Sequence, residues 1–162
     1  MNSITLNADL AAVSRLVVEG AMLVYTFAFL SFAFHLSQLA STKKSVRAGA
    51  SRLEKVGIAL LIFAAAIHGV GMTLRGISAS RVPWANMYEF AMTGTLVIVG
   101  VFLLVNLKWD MKFLGSFVTG LVLLLLGLAA TRYYVEIVPL PPALQSYWLV
   151  IHVFVATLAT GF

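Results

Sequence analysis

Residues 113–131 read FLGSFVTGLVLLLLGLAAT, a stretch of apolar and small side chains without a charged residue. A helix of that length, at about 1.5 Å per residue, covers most of the roughly 30 Å hydrocarbon core of a bilayer. The stretch therefore predicts a membrane-spanning helix. An open sheet is excluded because its backbone groups would lack partners in lipid, and the alternation typical of a barrel is absent.

Similar apolar runs occur along the rest of the chain. Of the 162 residues, 61% are hydrophobic and 10% are charged, against about 25% charged in a soluble domain. The sequence predicts an all-α, polytopic transmembrane helical bundle, a single domain over residues 1–162. About five spans are expected, near residues 15–40, 55–74, 87–107, 113–131 and 147–162.

The fifth run is short for a crossing, at about 16 residues where about 20 are needed. It ends on Ala-Thr-Gly-Phe without a polar stop or a basic anchor. We therefore expect the last helix to be incomplete and the chain to be a C-terminally truncated piece of a longer protein.

The basic residues indicate the orientation of the chain. They concentrate between the first two spans and between the third and fourth, which places these two loops on the cytoplasmic side and the amino terminus outside. The first loop is predicted to contain Lys43, Lys44, Arg47, Arg52 and Lys55, and the second Lys108 and Lys112.

Charge and cysteine content exclude two classes of function. The net charge is +5, but the 11 Lys and Arg residues are spread over short loops and form no basic stripe, so a nucleic-acid partner is not predicted. With no cysteine, the chain itself supplies no thiol chemistry, disulfide or zinc–thiolate site.

His152 is the first candidate site residue. It lies about one turn inside the fifth span, four residues after Trp148, so both side chains share one helix face. Ionisable residues in spans are costly and usually functional. A neutral imidazole there is able to ligate a metal or haem iron, and Trp148 would either stack on a flat macrocycle or anchor the helix at the interface. The alternative is a histidine hydrogen-bonded to a neighbouring helix.

The segment RVPWANMYEF, residues 81–90, is the second candidate. Asn86 is predicted to cap the third helix, with Glu89 at the position of a capping-box carboxylate. The alternative is functional: with Arg81 and Arg75 close by, Glu89 could form a charge-assisted pair, or the group could hold a propionate. Tyr88 lies among aromatic residues expected at the outer membrane boundary.

Two further histidines lie within spans. His68 is a possible iron ligand, proton relay or hydrogen-bonded interior residue, and Gly69 and Gly71 beside it would permit close approach of another helix or a flat ligand. His35 lies near the cytoplasmic end of the first span, where water is expected to reach it.

Two stretches resemble one family. RGISASRVPWANMYEF, residues 75–90, resembles the outer loop and following helix of the CcsA/ResC family (CcsB in some bacteria) of system II cytochrome c biogenesis proteins. PALQSYWLVIHV, residues 142–153, resembles the segment of that family that enters the helix with an external haem-ligating histidine.

The resemblance implies a specific function. Such proteins handle haem b in the bacterial cytoplasmic membrane and present it at the outer face. With a ResB-type partner they act as a haem lyase on the thiols of apocytochrome c, which a thiol-reducing protein keeps available. His152 would match the external ligand, while Arg81, Asn86, Tyr88 and Glu89 would brace the haem chamber. His68 has no secure counterpart in the family.

The chain departs from the family pattern in lacking the tryptophan-rich outer segment and the two later histidines. By itself it is therefore not expected to be active as a synthase. Two other classes of function stay open on the sequence, a small-molecule transporter and a non-catalytic membrane assembly subunit. A transporter would be expected to have broken helices or inverted repeats.

Overall fold

The computed structural model describes residues 3–40, 44–137 and 146–161, and over these ranges the protein is all-helical, which confirms the predicted fold class. A short 3-10 turn, Lys112–Leu114, precedes the fourth helix. The helices are α1 (Ser3–Leu39), α2 (Lys44–Ala79), α3 (Met87–Val105), α4 (Gly115–Arg132) and α5 (Tyr147–Gly161).

Four of these helices are long and apolar enough to cross a membrane, and α5 is a shorter apolar helix. The first two are longer than their apolar runs, because α2 already begins at Lys44 and includes Arg47, Arg52 and Lys55, which were predicted in a loop. Lys and Arg are good helix formers, so the helix continues beyond its apolar part. Lys43, residues 142–145 of the second motif and Phe162 lie outside the described residues.

The bundle is built around the pair α1 and α2, which pack along one another, while α4 packs on α1. α3 contacts α2, α4 and α5, and so connects α5 to the rest of the bundle. The small residues of α2 and α4 allow close approach: a Cβ atom built on Gly57 would lie 2.9 Å from the Phe32 ring, and one on Gly115 only 2.6 Å from it. Phe32 of α1 thus wedges between two helices that have no side chain there.

The end of the bundle that carries the 3-10 turn is joined by a chain of charged groups. Lys112 Nζ lies 2.9 Å from Glu54 and 3.2 Å from Asp110. His35 Nε2 lies 3.9 Å from the same Glu54. The expectation that water reaches His35 is wrong, because packing of α1 on α2 leaves only 4% of the residue exposed.

Gly115→Ala tests the wedge. The added methyl group would collide with the buried Phe32 ring, so we expect the free energy of unfolding to fall by about 1–3 kcal/mol, although alanine favours a helix over glycine. SDS-induced unfolding in mixed micelles, followed by circular dichroism, measures it. Gly100→Ala is the matched control, since a Cβ atom there meets nothing within 4 Å. Equal stability of the two variants would contradict the packing.

Candidate functional site

A buried charge cluster lies where α2 ends and α3 begins, which we call the Trp84 end of the bundle. Glu89 is fully buried and accepts from two arginines: Arg75 Nε lies 3.1 Å from Oε1, and Arg81 Nη1 lies 2.7 Å from Oε2. Arg75 is 1% exposed and the Arg81 side chain 14%. Two guanidinium groups thus share one carboxylate, so the cluster carries one excess positive charge.

The backbone at the start of α3 also binds this carboxylate. Asn86 is the N-cap, and its side chain accepts a hydrogen bond from the Glu89 N–H at 2.9 Å, as predicted. The Glu89 carboxylate in turn accepts from the Ala85 N–H at 2.9 Å, one residue before the position of an ordinary capping box. The cap and the charge pair, alternatives on the sequence, are therefore both formed.

The loop between α2 and α3 is folded tightly against the end of α2. Ser80 has a positive φ of 52°, and the Arg81 N–H donates to the Gly76 carbonyl at 3.2 Å, which closes the helix. A Cβ atom on Gly76 would lie 3.3 Å from both the Arg81 carbonyl oxygen and the Pro83 ring. Gly76 therefore lets the loop fold back and bring Arg81 to Glu89.

Trp84 connects this loop to α3 and α5. Its indole Nε1–H donates to Thr93 Oγ1 at 3.0 Å, one turn after Glu89. Its ring lies beside the Phe154 ring of α5, with 6.2 Å between centroids. Trp84 therefore positions α5 relative to the charge cluster rather than serving only as an interfacial anchor.

Two tyrosine rings and helix α1 enclose the cluster. The rings of Tyr88 and Tyr134 meet edge to face at 5.2 Å, and the Arg75 guanidinium lies 5.4 Å from the first and 5.6 Å from the second. Arg15 of α1 lies 4.6 Å from the Tyr134 ring. Arg75 Nη2 also donates to the Val135 carbonyl at 2.7 Å, which attaches the segment after α4.

His152 and Trp148 share an exposed face of α5, and over the described ranges no hydrogen bond or ion pair involves the His152 ring. Nor do the described residues contain a group of three or more His, Asp or Glu side chains that could hold a metal ion. A haem iron is already held by its porphyrin and needs only axial ligands, so a single exposed imidazole suits it.

His68 occupies a different environment, fully buried where α2 packs against α1. Its Nδ1 lies 3.4 Å from the Tyr25 hydroxyl oxygen, and its Nε2 has no hydrogen-bond partner among the described residues. Close packing continues at Gly71, where a Cβ atom would lie 2.6 Å from Val18. The structure thus places His68 in the interior beside Tyr25, and its role stays a prediction.

A cavity of about 440 Å³ lies between the α2–α3 loop and the first turns of α5. Its walls are mostly apolar, and Arg81 is the charged residue that lines it. Ser146, just before α5, also lines it, and from α5 the lining residues are Tyr147, Leu149, Val150 and Val153, and not His152.

The structure therefore brings together Arg81, Asn86, Tyr88 and Glu89, and it places His152 with Trp148 on a separate face and His68 in the interior. Sequence reasoning placed Arg75 near Glu89 as a possible partner but left it out of the candidate site residues, and so missed its central role. A signal existed, since an arginine in the last turns of an apolar helix requires a buried partner. Tyr25, which contacts His68, and Tyr134, which contacts Arg75, gave no such signal.

Glu89→Gln tests the charge cluster. It would leave two buried guanidinium groups facing a neutral amide, so we expect a loss of about 3–5 kcal/mol in the free energy of unfolding. The same SDS titration measures the loss. Glu19→Gln, which removes a carboxylate that pairs with Arg15 and is 42% exposed, is the control and should change stability little. A Glu89 variant as stable as the control would show that the cluster does not hold this end together.

Comparison with known proteins finds a relative over part of the sequence. No protein-family model matches the chain, and no solved structure matches it. The cytochrome c biogenesis protein CcsA of Trieres chinensis is 34% identical over 90 residues, which make up 54% of this chain and 29% of that relative. The chain thus spans less than a third of the curated relative it matches, and over about half of its own length it is related to the CcsA family, as the two motifs indicated.

Proposed function

We propose that the chain works in cytochrome c biogenesis, as a membrane subunit that binds haem b and presents it at the outer face for covalent attachment to apocytochrome c. The relationship to CcsA supports the general role. The arrangement of α5 supports the haem-binding step, with His152 as an axial ligand of the iron.

The accessibility of His152 carries this proposal. The three histidines differ in environment: His35 and His68 are 4% and 0% exposed and lie against Glu54 and Tyr25, whereas His152 is exposed. An imidazole on an apolar helix face is costly in lipid and calls for a polar or metal partner. The iron of a haem lying along this face would supply that partner, and Trp148, one turn away, would pack on the macrocycle.

The loop residues have a supporting role in this proposal. Arg81, Asn86, Tyr88 and Glu89 form one connected cluster with Arg75, and Trp84 connects the loop to Phe154 on α5. They would hold the first turns of α5 in place and so fix the direction of the His152 face. His68, enclosed by α1 and α2, is left as an interior residue.

The attachment reaction needs groups that this chain does not contain. Haem joins a cytochrome through thioether bonds, and since the chain has no cysteine, both thiols would come from apocytochrome c, kept reduced by a separate thiol-reducing protein. A ResB-type subunit would be the membrane partner. The described α1 to α4 are each continuous helices, so no observation here favours the transporter.

His152→Gly tests the ligand role. We expect haem bound per chain, measured by the Soret band of protein purified from haem-replete membranes, to fall at least several-fold, and added imidazole to restore it. Val155→Gly is the control, because it weakens the same helix at an exposed position without removing a ligand. An unchanged Soret band in the His152 variant would refute the ligand role, and an equal loss in the control would assign the effect to the helix.

The proposed orientation has its own test, which the absence of cysteine makes simple. Glu136→Cys and Asp110→Cys each introduce one thiol at an exposed position, at opposite ends of the bundle. With the amino terminus outside, an impermeant maleimide should label the Glu136 variant in intact cells and the Asp110 variant only after permeabilisation. The reverse labelling pattern would show that the orientation in the membrane is opposite to the proposed one.

A further inference from the structure

The cavity between the α2–α3 loop and α5 combines apolar walls with a charged side chain. Its volume of about 440 Å³ lies within the range of small-molecule sites, roughly 300–1,000 Å³. Val82, Val150 and Val153 line it with apolar surface, and Arg81 contributes a positive charge. These walls suit a molecule that combines an apolar body with one negatively charged group.

The charge balance of the cluster also favours a negatively charged ligand. Glu89 neutralises one of its two arginines, and both Arg75 Nη1 and Arg81 Nε are buried without a hydrogen-bond partner among the described residues. An uncompensated charge in a region of low dielectric is costly. An anion beside Arg81, the member of the cluster that lines the cavity, would supply the missing charge.

The cavity walls are also fixed in place before any ligand arrives. Arg81 is held on Glu89 by two hydrogen bonds of 2.7 and 3.3 Å, and Trp84 is held by Thr93 and Phe154. A site that is ordered in advance loses little entropy on binding. The loop side of the cavity is therefore held by contacts within the protein.

We propose that this cavity binds an anionic amphiphile, with its charged group against Arg81 and its apolar body along Val150 and Val153. The chemistry is shared by an acidic phospholipid headgroup and by a carboxylate of haem. The site is distinct from the His152 face, because that residue does not line the cavity. The proposal does not depend on iron ligation.

Tryptophan fluorescence provides the test. The chain has three tryptophans, and Trp109→Phe with Trp148→Phe, both at exposed positions, leaves Trp84 in the cavity wall as the single reporter. One arm compares quenching by brominated phosphatidylglycerol and brominated phosphatidylcholine in vesicles. A second arm, in uncharged micelles, compares haem with haem dimethyl ester, which lacks the carboxylates. Stronger quenching by the anionic molecule of either pair supports the proposal. The arm that shows this preference identifies the ligand as a phospholipid or as haem.

Two variants locate the site. Arg81→Gln should raise the half-saturating concentration of the anionic member about tenfold. Arg132→Gln, which removes an exposed charge that does not line the cavity, should leave it unchanged. Because Arg81→Gln could also disturb the loop, Val150→Phe is added: it fills the cavity, leaves the charge cluster intact and should weaken binding at least threefold.

Three results would overturn the proposal. These are no preference for the anionic ligand in either arm, a loss of binding in the Arg132 variant equal to that in the Arg81 variant, or unchanged binding in the Val150 variant. The phospholipid arm contains no iron. A negative result in that arm therefore concerns the cavity alone. A failure of His152 as an iron ligand is reported separately, by the Soret band.

Discussion

Glu89 lies fully buried between two guanidinium groups, and the arrangement of the Trp84 end depends on this one carboxylate. A lone carboxylate buried near the edge of a membrane would cost several kcal/mol, so the chain must bring cations to it. Arg75 comes from the last turns of α2 and Arg81 from the loop that follows. Both reach Glu89 because the loop folds back at Ser80 and α3 begins directly after its N-cap, Asn86. The Ala85 N–H donates to the same carboxylate.

The consequences extend to every helix at this end. Through Arg75 the cluster reaches the Val135 carbonyl after α4 and the Tyr134 ring, on which Arg15 of α1 also packs. Through the loop it reaches Trp84, which packs beside Phe154 of α5. A hydrogen-bonded polar network of this kind selects one arrangement of apolar helices, which by themselves could slide or rotate past one another with little change in energy.

The position of α5 follows from this network and explains how one histidine is accessible while the others are enclosed. α5 packs on α3 and touches the α2–α3 loop, and its opposite face, with Trp148 and His152, is open. Within the bundle, Gly57, Gly71 and Gly115 bring the helix backbones close together. Among the residues that the structure describes, that close packing leaves the Tyr25 hydroxyl as the hydrogen-bonding neighbour of His68. The same chemical group is thus packed in the interior in one helix and lies on an exposed face in another.

The sequence by itself determined the helical class, the approximate places of the long helices, the N-cap at Asn86 and the family resemblance. Each of these depends on local composition or on a short motif, because a helix in lipid satisfies its own backbone. Tertiary structure alone decided that Arg75 and Arg81 share one carboxylate, that His35 is buried beside Glu54, and that Arg81, and not His152, lines a cavity beside α5. The physical reason is that apolar residues line both the lipid-facing and the inner faces of these helices. The hydrophobic pattern therefore does not reveal which face turns inward, and the buried polar contacts depend on that choice.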